Sequence, residues 1–76
     1  MTADDFRAAL THRPFQPFAL HLSGDDTVRV PHPEFAHLLH NDRTVIVEGD
    51  GPGYSIIDLE LVTRIEMNVP TYSVNP

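Results

Sequence analysis

Phe18-Ala19-Leu20-His21-Leu22-Ser23-Gly24-Asp25-Asp26-Thr27-Val28-Arg29-Val30 is the stretch that decides the fold. Phe18, Leu20 and Leu22 alternate with Ala19, His21 and Ser23, the period-two pattern of a strand with one buried face. Ser23-Gly24-Asp25-Asp26 is turn chemistry, because glycine takes positive φ without steric cost and aspartate tolerates it. Alternation resumes over Thr27 to Val30, with Val28 and Val30 inward and Arg29 outward. The pair reads as a β-hairpin, and a hairpin needs further strands or a helix against its apolar face to be stable.

Upstream, Thr2 and Asp5 have the spacing of an N-terminal capping box, and Phe6, Ala9 and Leu10 fall on one helical stripe. A helix from about Ala3 to His12 follows, ended by Pro14. Arg13-Pro14-Phe15-Gln16-Pro17-Phe18 then reads as an extended connector whose rings tuck under the sheet or, alternatively, offer a partner a docking surface at Phe15 and Phe18.

Downstream, Pro31 and Pro33 stop the hairpin. Pro33 suits the first position of a short inserted helix ending near His40, with Phe35, Leu38 and Leu39 inward and Asn41 in the left-handed C-terminal position. Thr44 to Glu48 is a strand of mostly β-branched residues, followed by the loop Gly49-Asp50-Gly51-Pro52-Gly53 and a partner strand from Tyr54 to Ile57. Asp58 to Thr63 fits one helical turn, and alternation returns from Arg64 to Val69. The tail 71–76 is expected to fray or to add a short edge strand, leaving residues 1–70 as one domain.

This order of elements resembles that of small SH3-like barrels, including the Sm-like variety with its N-terminal helix. The resemblance implies an α+β, mainly β chain, with a five-stranded antiparallel barrel, an N-terminal helix and a short inserted helix. At closer range, Arg13-Pro14-Phe15-Gln16-Pro17-Phe18, Val30-Pro31-His32-Pro33-Glu34-Phe35 and Ile57-Asp58-Leu59 with Thr63-Arg64-Ile65-Glu66 are similar to segments of a family of small uncharacterised bacterial proteins. Those proteins carry Pro-Phe-x-Pro-Phe, Val-x-His-Pro-Glu and Thr-x-Ile-Glu. The resemblance spans Phe6 to Met67 and implies a bacterial origin, with no activity or catalytic residue to carry over.

Composition narrows the possible functions. Seventy-six residues support one core, and with no cysteine that core has neither disulfide nor thiolate metal site to help it. No stretch approaches the roughly 20 apolar residues of a membrane-spanning helix. Acidic Asp4 and Asp5 replace the basic start of a secretory signal, so the expected location is the cytoplasm. Five arginines and no lysine stand against eleven acidic residues, for a formal charge of −6. That balance repels polyanions, and it opposes the RNA binding that an Sm-like barrel would otherwise suggest.

Glu34, His37 and His40 are the candidate metal ligands, since on a helix each neighbouring pair lies one turn apart. Three-residue steps drift around the helix, however, and helix-end electrostatics explain Glu34 and His40 equally well. Asp25, Asp26 and Asp50 lack the ligand spacing of a calcium loop, and Gly49 to Gly53 lacks the lysine of a phosphate loop. Ser23, Ser55 and Ser73 lie in no nucleophile-elbow context, and the two sequence elements of a PilZ-type cyclic-dinucleotide receptor are missing. No cofactor is expected. The leading expectation is a non-enzymatic protein-binding or self-assembly module, with a metal-binding sensor or enzyme at residues 32–40 as the alternative.

Overall fold

The helix begins where the capping pattern places it. Thr2 is extended (φ −89°, ψ 158°) and its side chain accepts the Asp5 backbone N–H at 3.1 Å, opening α1 (Ala3–Thr11). In this computed structural model residues 1–49 and 51–68 are described. Val69 and the tail 71–76 lie outside them. Phe6 and Ala9 are the buried residues of α1, and the chain leaves it through a cis Arg13–Pro14 bond.

The hairpin forms as β1 (Phe18–Leu22) and β2 (Thr27–Val30), paired antiparallel from Phe18↔Val30 to His21↔Thr27. Gly24 and Asp25, both at positive φ (86° and 69°), make its turn. β3 (Ala36–Leu38), β4 (Thr44–Glu48), β5 (Tyr54–Asp58) and β6 (Val62–Met67) follow. They assemble two three-stranded antiparallel sheets, β2-β1-β6 and β3-β4-β5. The architecture is therefore α+β and mainly β, with six strands in two sheets among the described residues where five strands in a closed barrel were expected.

The extra strand replaces the inserted helix. Pro33–Phe35 make a single 3₁₀ turn, and Ala36, His37 and Leu38 then extend to pair with Val47, Ile46 and Val45. Central β4 is rich in β-branched residues and needs a neighbour on each side for its backbone groups; that requirement overrides the local helical pattern. Ala36 becomes the buried residue of the segment, while Leu39 is exposed. The left-handed position falls on Asp42 (φ 59°), one residue beyond Asn41. Asn41 instead organises the turn, its Oδ1 accepting the backbone N–H groups of Arg43 and Thr44, both at 2.9 Å.

The expected helical turn after β5 is a 3₁₀ turn at Leu59–Leu61, capped by Asp58, whose side chain accepts the Glu60 N–H at 2.9 Å. A bulge follows. His21 pairs with Arg64 but Leu22 pairs with Val62, leaving Thr63 extra, and its hydroxyl donates to the His21 carbonyl at 3.0 Å. The bulge lets Val62 and Ile65, three residues apart, face the same interior.

That interior joins α1 and both sheets in one cluster including Phe6, Phe18, Leu20, Val30, Val45 and Leu59, each at most 1% exposed. Phe6 meets Phe18 edge-on at 6.0 Å between ring centroids. No polar or charged side chain is buried among the described residues, so apolar packing alone supplies the core.

Candidate functional site

The histidine segment does not converge. Glu34 lies exposed in the 3₁₀ turn, His37 points outward from β3, and His40 is exposed in the loop beyond it. A strand sends neighbouring side chains to opposite faces, so the helical spacing that would have aligned these three is lost. His37 is instead a cross-strand partner, its Nε2 donating to Glu48 Oε2 on β4 at 2.8 Å. Among the described residues no three His, Asp or Glu side chains gather into a metal-ligating group.

Phe15 and Phe18 belong to the interior. Phe18 is fully buried, and Phe15 is half-buried with its ring tilted against Phe18 at 5.9 Å. The apolar surface lies elsewhere. Tyr54 and Ile56 on β5 are 65% and 67% exposed, far more than their type in a half-buried strand requires.

The register explains their setting. On the outer face of the second sheet His37, Ile46 and Ile56 form one row across three strands, and Glu48 with Tyr54 forms the next. Thr44 and Asp58 close the face at its other end. There Arg43 donates to Asp58 through Nε (3.1 Å to each carboxylate oxygen) and through Nη2 to Oδ2 (2.9 Å). Glu60 Oε1 lies 3.2 Å from the same Nη2. The Arg43 hydrogen bond, helped by the Glu60 backbone N–H, holds the Asp58 carboxyl below the usual carboxylate range, and Asp58 in turn raises Arg43.

One groove borders this face and another lies away from it, at the first sheet. One of about 530 Å³ runs between the sheets, with Pro17, Val28, Arg29, Phe35, Glu48 and Tyr54 among its lining residues. Another, of about 460 Å³, lies between α1 and β6, lined by Ala8, Ala9, His12, Ile65 and Met67 among others. Among the described residues neither is lined by a buried titratable group.

A cross-strand network that the sequence did not announce occupies the outer face of the first sheet. His21 Nε2 donates to Glu66 Oε1 at 2.9 Å, and its Nδ1 lies 3.3 Å from Thr27 Oγ1. Carboxylate, imidazole and hydroxyl in that order have the sequence of roles found in hydrolytic triads. His21 lines neither groove, however, and what the arrangement does here is tie β6, β1 and β2 together. Its only signal in the sequence is that His21, Thr27 and Glu66 all occupy outward positions of alternating strands. No family model, curated protein or solved structure matches this chain.

Proposed function

We propose that the chain is a non-enzymatic protein-binding or self-assembly module of the bacterial cytoplasm, docking through β5 and the outer face of its sheet. The observation that carries this reading is the exposure of Tyr54 and Ile56, 65% and 67%, on a strand with β4 as its one neighbour among the described residues. An edge strand with unpaired backbone groups and exposed apolar side chains is a template for strand addition. The absence of buried titratable groups among the described residues gives the reading further support, since catalytic groups are tuned mainly by burial and close charges.

An SH3-like fold belongs to the same proposal. β2 and β3 flank the 3₁₀ turn at Pro33–Phe35 and read as two halves of one bent strand. Joining them gives the order β6-β1-β2/β3-β4-β5, the meander of an SH3-like barrel. The acidic surface turns that scaffold away from RNA and toward protein.

The test compares wild type with Ile56→Lys, immobilised and exposed in turn to the same protein in solution and to an extract of its native cells. The expected result is that wild type retains protein in at least one of these and that Ile56→Lys loses about tenfold, with an unchanged melting temperature. Equal retention by both proteins overturns the proposed surface.

A further inference from the structure

The hairpin's own hydrogen bonds determine which backbone groups of β5 are available. Gly49 N–H donates to the Gly53 carbonyl at 3.1 Å, and Leu59 N–H donates to the Arg43 carbonyl at 2.8 Å. Pairs of this kind recur at every second position, so Ser55 and Ile57 bond to β4 across from Val47 and Val45. Tyr54, Ile56 and Asp58 therefore turn their N–H and C=O groups away from β4, toward the edge. The same three residues carry the outer-face side chains.

Nothing in β5 guards that edge. Tyr54-Ser55-Ile56-Ile57-Asp58 contains no proline, lysine or bulge, and its one charge is already held by Arg43. Resting on the docking reading above, we infer that the occupant is a second copy of this chain, with β5 pairing antiparallel to β5 about a two-fold axis at Ile56.

Self-complementarity selects both the partner and the register. With Ile56 opposite Ile56 of the second copy, Tyr54 falls opposite Asp58 and Asp58 opposite Tyr54, so all three outward-facing residues bond. A register centred on Asp58 would oppose two carboxylates, and one centred on Tyr54 would run Ile56 into Pro52 of the turn. In the Ile56 register an aliphatic row, Ile46 and Ile56 from each copy, continues across four strands. Arg43, lying on Asp58, comes beside the second copy's Tyr54, where a guanidinium and an aromatic ring attract each other. The contact is small against the roughly 800 Å² per partner of a stable interface, and each copy carries a charge of −6. The dimer is thus concentration-dependent and tightens as salt screens that repulsion.

Because the chain has no cysteine, engineered pairs report directly on the register. Opposed Ile56 positions place their Cα atoms about 5.5 Å apart, within disulfide reach, while the two Tyr54 positions are separated along the strand by about 13 Å. Full-length Ile56→Cys should cross-link to a dimer under mild oxidation about tenfold faster than Tyr54→Cys. In the wild type, amide exchange at Tyr54 and Ile56 should slow as protein concentration rises.

Equal cross-linking rates overturn the register. Exchange independent of concentration overturns the second copy, in favour of another protein or a segment of the same chain on this edge. If cross-linking fails while Ile56→Lys still loses retained protein from the extract, the dimer is wrong and the docking surface stands. If Ile56→Lys changes nothing, both fall.

Discussion

Asp58 does two jobs with one carboxylate, accepting the backbone N–H that opens the second 3₁₀ turn and holding Arg43 across the end of the hairpin. Its lowered folded-state pKa means that the ionised form favours folding. That contribution is fully present above the unfolded value of about 3.9 and is lost as the pH falls through the lower folded value. Asparagine can still accept the Glu60 N–H, so Asp58→Asn isolates the charge. We expect Asp58→Asn to melt below wild type at neutral pH, and the two melting curves to converge in acid below about pH 4. A difference that persists undiminished in acid would refute the assignment. Phe18 and Ile56 give the opposite pair of expectations. Phe18 is fully buried, and Phe18→Ala should cost about 3–5 kcal/mol, much of the roughly 4–11 kcal/mol a chain of this length commands. Ile56→Ala should stay within about 0.5 kcal/mol in dilute solution, because that side chain is 67% exposed. Urea denaturation of both variants checks the contrast, and it also separates the core aromatics from the proposed docking surface.

Among the elements, the β1–β2 turn is where composition and backbone agree most closely. Gly24 sits at φ 86°, and an added Cβ there would meet nothing within 4 Å. Any cost of Gly24→Ala is therefore backbone strain, expected at about 1–2 kcal/mol and read by thermal denaturation. Asp25 at φ 69° already bears part of such strain, so Asp25→Gly should change stability by no more than about 0.5 kcal/mol. β3 teaches the converse. Pro33 at a helix-start position, Glu34 behind it and apolar residues at three- and four-residue spacing satisfied every local rule for a helix. The exposed backbone edge of β4 prevailed, because hydrogen bonds along a buried strand outweigh the small propensity differences within one short segment. The metal expectation at Glu34, His37 and His40 went with that helix.

At the scale of the whole molecule, net charge sets the repulsion between molecules in solution. Eleven acidic side chains against five arginines leave −6, and protonating the five histidines would bring the total to −1. Solubility should fall between neutral and mildly acidic pH as that repulsion disappears. Static light scattering over that range is the measurement, and unchanged scattering at constant protein concentration would contradict it. Association driven by the loss of net charge leaves the fold in place, so far-UV dichroism is expected to be native still when scattering first rises.

The sequence by itself determined the elements whose pattern is local: the capped helix, the turn at Gly24 and Asp25, and the alternating strands around Phe18, Val45 and Ile65. It determined the acidity that argues against nucleic acid as well. Tertiary structure alone decided that residues 36–38 extend and that, among the described residues, β5 stands at a sheet edge with Tyr54 and Ile56 exposed. The physical reason is that alternation marks two faces of a strand but not how many neighbours it has. Neighbours are fixed by pairing across distant parts of the chain, as in His21 with Glu66 or Ala36 with Val47. Exposure of an apolar side chain, on which the proposed docking surface rests, is a property of that pairing and of nothing shorter.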